Sequence, residues 1–241
     1  MLRNIALAGL FAFLTGCEKK NDGDVLPETP PPEAKPALTT EPAYRPGYVL
    51  GGKSVNAGTA FVVKGESGKL LALTAAHVLD ANEWGTVQSA SLNKMAGSRV
   101  IELPGKPASV GRSFGELPPI ENGAFPLFNT SEDLVIWVLP EKTAIVPLEM
   151  ADHEPSVNEW VWVVGQEAGK QLQFYRAKVT RVKDGTFVMK QHDRCNPHGF
   201  SGGAVLNQAG KVIGNMLAAD PKGDLMEGAT VGTIRKRIAG Y

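Results

Sequence analysis

The chain has 241 residues, of which 43% are hydrophobic and 21% are charged, a composition typical of one large or two small globular domains. Its 25 basic and 25 acidic side chains balance to a formal net charge of zero. Because nucleic-acid-binding surfaces show clustered basic residues, this charge pattern predicts no nucleic-acid partner. With only two cysteines, Cys17 and Cys195, a fold held together by several disulfides is excluded.

Residues 1–17, MLRNIALAGLFAFLTGC, have the layout of a secretory signal. One charge, Arg3, precedes a short apolar run, and small residues follow it. The ending LTGC resembles the lipobox of bacterial lipoproteins, in which the cysteine, here Cys17, carries the lipid. The resemblance implies a membrane partner through an N-terminal lipid anchor in the bacterial cell envelope. Glu18, in place of aspartate, favours the outer membrane facing the periplasm. The alternative is an ordinary signal with an incidental cysteine.

Residues 18–47 contain seven prolines, mixed charges and almost no bulky apolar side chains. Such a stretch cannot bury enough surface to offset the entropy of ordering it. The composition therefore predicts a disordered tether that reaches up to roughly 90 Å when extended. A proline-rich recognition segment is the alternative.

From Tyr48 onward the chain consists of short runs rich in valine, leucine and aromatic residues, each bounded by turn-forming residues. Many short strands with few helices predict an all-β sandwich or barrel. A helical turn is predicted over 75–80, and a helix near the C-terminus over GTIRKRIAG. The predicted strands are 58–64, 69–74, 85–92, 98–103, 133–139, 159–165, 171–183, 186–190, 202–207 and 211–217.

The segment GFSGG, residues 199–203, surrounds Ser201 with glycines and raises the question of a serine nucleophile. A serine hydroxyl needs an adjacent base, and the sequence offers four histidines. His77 differs from the others because it closes the apolar strand and small-residue turn of LLALTAAHVL. Asp133 begins the apolar strand DLVIWVL, where an acid is costly unless it has a partner, and it can orient the imidazole of His77.

The pattern G-x-S-x-G also occurs at the nucleophile of α/β-hydrolases. That fold places its histidine after the serine, and no histidine follows Ser201 here. The alternation of strands and helices is missing as well. A lipase-like interpretation is therefore excluded.

Three segments resemble, in chain order, the catalytic blocks of the chymotrypsin/trypsin-like serine proteases: TAAHV, EDLVIWVL and GFSGGAVLNQAGKVIGN. Their pattern is most like that of bacterial HtrA-type peptidases. The resemblance covers residues 48–241. It implies a serine endopeptidase that acts on peptide or protein substrates and needs no cofactor. Because only 40 residues follow Ser201, we expect no PDZ domain of the kind that HtrA proteases carry. The resemblance assigns Ser201 as the nucleophile, His77 as the base and Asp133 as the acid that orients His77. The N–H groups of Gly199 and Ser201 would form the oxyanion hole.

The same resemblance implies an all-β fold of two six-stranded antiparallel β-barrels and a short C-terminal helix. The first barrel, 48–145, would carry His77 and Asp133. The second, 146–241, would carry Ser201 and the helix. A proline-rich stretch at 140–157 is the expected boundary.

Two departures from the digestive enzymes matter for function. They have an aspartate before the serine that pairs with a newly cut N-terminus, whereas this chain has Phe200, so we expect no activation of that type. Their specificity residue lies six positions before the serine, which is Cys195 here. A pocket lined by Cys195, Met216, Leu217 and Ala218 favours small or medium uncharged side chains, whereas His198 would favour an acidic one.

Three alternatives stay open at this stage. The spacing of His192, Cys195 and His198 also resembles a metal-ligand set, although a fourth ligand is not evident. A pseudoprotease or peptide-binding module could use the same double-barrel fold. A purely structural envelope lipoprotein is the third. The sequence specifies neither the natural substrate nor the oligomeric state.

Overall fold

The computed structural model describes residues 29–50, 53–56, 58–75, 77–79, 100–102, 110–113, 133–139, 145–166, 171–220 and 222–241. The signal segment with Cys17, the predicted strand 85–92 and tether residues 18–28 lie outside these ranges. Among the described residues, no helix is both long enough and apolar enough to cross a bilayer.

Thirteen strands and one short α-helix make up the described regular structure, with a 3₁₀ turn at His77–Leu79. The first unit contains β1 (Gly47–Leu50), β2 (Lys53–Asn56), β3 (Phe61–Lys64), β4 (Leu70–Thr74), β5 (Val100–Glu102), β6 (Val110–Ser113) and β7 (Val135–Val138). The second contains β8 (Trp160–Gly165), β9 (Gln173–Lys183), β10 (Thr186–Gln191), β11 (Ala204–Leu206), β12 (Val212–Ala219), β13 (Leu225–Thr230) and then α1 (Val231–Ile238).

Every strand pairs antiparallel with its neighbours, and the strands form two β units. The first is a seven-stranded sheet in the order β2-β1-β5-β6-β7-β4-β3, and the second is a closed six-stranded barrel in the order β10-β13-β12-β11-β8-β9. The all-β prediction, with its C-terminal helix, is confirmed. The described part of the first unit differs from the expected closed six-stranded barrel: it is a sheet of seven strands with the β1–β2 hairpin at one edge.

Two clusters of buried side chains hold the units. One fills the interior of the closed barrel, around Phe187, Met189, Phe200 and Ile213. The other joins apolar residues of β3 and β4 to the outer face of the barrel and to Ile234 and Ile238 of α1. The alternating apolar residues of β8 explain this division, because Trp162 and Val164 face the second cluster while Val161 and Val163 face the barrel interior.

Residues 29–46 pack against the two units, which differs from the disordered tether predicted for 18–47. Ala43 and Tyr44 are buried, and Tyr44 forms a β-bridge with Ala60. Burial, together with the nearby charge of Glu41, raises the pKa of Tyr44 to about 12. Composition underestimated this segment because backbone carbonyls do much of the binding: Thr29, Pro32 and Ala34 accept hydrogen bonds from side chains of the second unit.

Candidate active site

His77 and Asp133 come together because the strands next to them pair. His77 follows β4 on the 3₁₀ turn, and Asp133 precedes β7. In the β4–β7 register, Thr74 lies opposite Val135, so the end of one strand meets the start of the other. The pairing therefore carries an imidazole and a carboxylate to the same edge of the sheet.

One carboxylate binds His77 at two points. Oδ1 of Asp133 accepts the backbone N–H of His77 at 2.9 Å, and Oδ2 lies 2.6 Å from Nδ1 of the ring. The two side chains are 14% and 19% exposed, so they are mostly screened from water. A carboxylate beside Nδ1 stabilises the tautomer with its proton on that nitrogen, which makes Nε2 the basic nitrogen of the ring.

Ser201 sits in a tight turn between Pro197 and β11. The N–H of Phe200 donates to Pro197 O at 3.0 Å, and the N–H of Gly203 donates to Phe200 O at 2.8 Å. Gly202 donates to Met216 O at 2.7 Å. Gly199 and Gly202 have φ values of +92° and +85°, a region that disfavours side chains. The glycines around the serine are thus required by the turn itself.

Two N–H groups of this turn, those of Gly199 and Ser201, have no acceptor within the described part of the chain. Their neighbours in the turn, Phe200, Gly202 and Gly203, all donate to carbonyls of the protein. Because buried or half-buried N–H groups are almost always paired, an adjacent unpaired pair is suited to binding an external anion or carbonyl oxygen.

The turn of Ser201 packs directly against the segment that leads to His77. A Cβ on Gly202 would lie 2.5 Å from both Ala75 N and Thr59 O, so only glycine fits there. Gly58 is similarly enclosed, because a Cβ on it would lie 2.7 Å from Val78 Cγ1 and 2.8 Å from Ser201 O. Val78 is the neighbour of His77, so the contact at Gly58 brings the serine and histidine segments together.

Phe200, next to the serine, is fully buried in the barrel interior. Its ring lies 5.4 Å from that of Tyr175, centroid to centroid. It also covers Gly165 so closely that a Cβ on that residue would overlap the ring. The turn is therefore anchored by apolar packing at the position where the digestive enzymes have an aspartate.

An ion pair holds the segment upstream of the serine. Arg176 on β9 reaches Asp193 with Nε and with Nη2, the latter at 2.5 Å from Oδ1, and its backbone N–H donates to Oδ2 at 2.9 Å. These hydrogen bonds lower the pKa of the Asp193 carboxyl and raise that of the guanidinium. Arg176 also donates to Pro32 O at 3.3 Å, which ties the N-terminal segment to the same network.

The five residues predicted to contact substrate differ in exposure. His198 and Ala218 are exposed and Cys195 is half-buried. Met216 and Leu217 are only 2% and 1% exposed, which leaves little of their side chains for a bound peptide. Met216 packs with the side chains of the barrel interior.

The residues considered as metal ligands point to separate partners. The ring of His192 makes an edge-on contact with Trp160 at 5.2 Å, and Cys195 Sγ accepts a hydrogen bond from Gln191 Nε2. Across the described ranges, no three histidine, cysteine or acidic side chains converge in a way that could hold a metal ion. The spacing His192, Cys195, His198 therefore does not produce a metal site within those ranges.

The chain is similar to known proteins in sequence and in fold. A family model described as "Trypsin-like peptidase domain" matches residues 58–214. The active form of the Rv3671c protease from M. tuberculosis superposes with a TM-score of 0.54 at 17% identity, covering 91% of this chain and 92% of that one. A serine endoprotease from Yersinia pestis gives 0.51 at 13% identity, covering 82% of this chain and 61% of that one.

The two structural comparisons establish the fold, and the family match extends over more than half of the chain. No curated protein matches it in sequence. The class of enzyme that the family match supports is a trypsin-like peptidase. The chain belongs to the trypsin-like peptidase domain family.

Proposed function

We propose that this protein hydrolyses peptide bonds through an acyl-enzyme on Ser201. The observation that carries the proposal is the double contact of Asp133 with His77, beside a serine turn in which two N–H groups have no acceptor among the described residues. Fixing the imidazole and preparing donors for a developing oxyanion are the two requirements of serine-protease chemistry.

In the proposed first step, Ser201 Oγ attacks the carbonyl carbon of the scissile peptide while Nε2 of His77 takes its proton. Asp133 holds the ring and stabilises the imidazolium that forms. The tetrahedral intermediate collapses when the imidazolium gives its proton to the leaving amine, and the C–N bond breaks. Water then repeats the sequence on the acyl-enzyme and releases the carboxylic acid.

The N–H groups of Gly199 and Ser201 would receive the negative charge of the intermediate. Removing a single donor of this kind typically lowers kcat about 100- to 1000-fold, because the donors are in place before charge develops. The preorganisation here is supported by the hydrogen bonds that occupy every neighbouring N–H in the turn. No cofactor enters the proposed chemistry.

For substrate binding we propose a pocket beside Cys195, with His198 and Ala218 at its exposed margin and the backbone of Met216 and Leu217 along one side. The apolar residues favour a small or medium uncharged side chain before the scissile bond. An acidic side chain, attracted by His198, is the competing outcome. Hydrolysis rates on a peptide library that varies this one position distinguish the two.

We further propose that the domain is held in the cell envelope by lipid on Cys17, on the support of the LTGC sequence. Because residues 29–46 pack on the domain, only 18–28 would remain as a connection. Fully extended, that stretch reaches about 35 Å, so the domain would lie closer to its membrane than the composition suggests. Metabolic labelling with a fatty-acid analogue, compared between the natural chain and Cys17→Ala, tests the anchor.

The nucleophile is tested by a fluorophosphonate reagent, which reacts covalently with activated serines. We expect stoichiometric labelling of the folded protein, lost in Ser201→Ala. Ser67→Ala is a matched control, because this serine lies in a turn of the first unit away from the site. Folded protein that takes up no reagent would favour a pseudoprotease or peptide-binding module instead.

A further inference from the structure

Thr59 connects the first unit to the serine turn of the second. It precedes β3, and its side chain is fully buried. Its Oγ1 donates to Gly199 O at 2.6 Å, and its backbone N–H donates to Ser201 O at 2.8 Å. One residue therefore binds the carbonyls of both residues whose N–H groups would form the oxyanion hole.

The hydroxyl of Thr59 is itself held in place. Oγ1 accepts the backbone N–H of Gln166 at 3.0 Å, which leaves its proton for Gly199 O. The carbonyl of Thr59 accepts Thr74 Oγ1 at 2.7 Å. Because both the donor and the acceptor role of the hydroxyl are occupied, its orientation is fixed before a substrate arrives.

Thr59 forms hydrogen bonds with the peptide units on either side of Ser201. In the unit between residues 199 and 200, the oxygen binds Thr59 and the N–H binds Pro197 O. In the unit between 201 and 202, the oxygen binds Thr59 and the N–H binds Met216 O. Both units are thus held at both ends, which confines the Ser201 N–H that lies between them.

The hydrogen bond from Thr59 Oγ1 to Gly199 O matters because its acceptor belongs to a glycine. A glycine permits rotations that side chains would block, so local sterics do not fix the peptide units around it. The hydrogen bond from Thr59 Oγ1 restrains its carbonyl, in addition to the bond from the Phe200 N–H to Pro197 O, and through the same Cα it limits the direction of the Gly199 N–H. Without that bond, alternative orientations of the turn become accessible.

We propose that Thr59 is a positioning residue that sets the geometry of the oxyanion hole from the opposite unit. It does not touch the reacting atoms. It acts by restraining the carbonyls of Gly199 and Ser201, so that their N–H groups converge on one point. This inference rests on the proposed function for its kinetic consequence, but the restraint itself is independent of activity.

Thr59→Val removes the hydroxyl and nearly preserves shape. With p-nitrophenyl acetate as substrate we expect kcat to fall about 10- to 100-fold, less than direct loss of a donor, while KM stays within about 3-fold. Thr59→Ser keeps the hydroxyl and should restore kcat. The matched control is Thr233→Val, because Thr233 Oγ1 likewise donates to a glycine carbonyl, Gly185 O at 2.8 Å, outside the turn. A Thr233→Val protein with the same loss of kcat would overturn the proposal.

Amide hydrogen exchange measured by mass spectrometry gives a readout that does not require activity. Thr59→Val should accelerate exchange in peptides covering 196–203, and Thr233→Val should not. Unchanged exchange there overturns the proposal even if kcat falls. If Thr59→Val fails to fold, the Thr59→Ser protein is measured instead. A kcat within about 3-fold of the natural chain and unchanged hydrogen exchange then support the role of the Thr59 hydroxyl. A natural chain that neither hydrolyses the ester nor labels with fluorophosphonate contradicts the proposed function, while exchange still decides on Thr59.

Discussion

The two halves of the site are built by different means. On the first unit, His77 and Asp133 meet through contacts that include both side chains, and strand pairing only brings them near. On the second, the turn of Ser201 is held by backbone hydrogen bonds, by glycines that leave no room for side chains, and by the buried ring of Phe200. The first half depends on residue identity and the second on backbone shape. Substitutions in the first half should therefore lower kcat with little loss of stability, whereas substitutions in the second should lower both.

Asp133→Asn tests the half that depends on side-chain identity, and we expect the largest effect here. Asparagine fills the same volume, but its amide cannot accept from both the N–H of His77 and Nδ1, so the ring is held in the wrong tautomer. A fall in kcat of about 10⁴-fold is expected, with little change in thermal stability. Ester hydrolysis under saturating substrate measures it.

Asp152→Asn is the control for that charge change, since Asp152 is exposed and its contact with Arg235 spans 3.9 Å. It should keep normal activity. An Asp133→Asn protein that retained a tenth or more of the normal kcat would show that the contact with His77 is not needed for turnover.

Phe200→Ala tests the half that depends on backbone shape. Loss of a fully buried ring should lower the free energy of unfolding by about 3–5 kcal/mol, as read from urea denaturation. Phe187→Ala, in the same barrel interior, should cost a similar amount. Only Phe200→Ala should also lose kcat at a temperature where both proteins are folded, because only that ring anchors the serine turn. Equal kcat in the two variants would show that Phe200 does not hold the turn in its active shape.

The N-terminal segment offers a third test, because it contacts both halves. Tyr44 bridges to Ala60 next to Thr59, and Arg45 donates to Gln166 O at 2.8 Å. Tyr44→Ala should lower the melting temperature by about 5–10 °C, since a buried aromatic side chain is lost from a domain of this size. Glu33→Ala, at an exposed position of the same segment, should leave it unchanged. A disordered tether predicts no change from either substitution.

The smallest effect is expected from the ion pair behind the turn. Hydrogen bonds from Arg176 lower the pKa of Asp193 in the folded protein. The ion pair therefore stabilises the folded protein at pH values above the ordinary carboxyl pKa. That contribution disappears as the pH falls from about 4 toward the lowered value. Asp193→Asn should therefore flatten the loss of stability below about pH 4, as followed by urea midpoints across pH. The same slope in both proteins would contradict the assignment.

The contrast between the halves also explains what the sequence could predict. Residue types and their order pointed to His77, Asp133 and Ser201, and apolar runs located most strands, including β3, β4, β7 and β8. The strands β1, β2, β6 and β13 each carry glycine or a charged residue, and their composition did not predict them. Their pairing depends on neighbours that are distant in the chain, which periodicity does not report.

The N-terminal segment and Thr59 were missed for a related reason. Proline content describes how little apolar surface a segment has, but not whether its carbonyls find donors such as Trp160 and Arg176. Thr59 sits in a strand-like run, GTAFVVK, and nothing in its own sequence marks it as a partner of Gly199, 140 positions away. Both contacts exist only once the two units are assembled.

The central claim, that Ser201 carries the acyl group, has a direct test. Brief reaction of the purified protein with p-nitrophenyl acetate, acid quenching and peptide mass mapping locate any covalent intermediate. We expect one acetyl group on the peptide that contains Ser201, absent in Ser201→Ala and accumulating more slowly in Asp133→Asn. Acetyl groups found only on other residues of an active protein, or turnover that survives in Ser201→Ala, would contradict it.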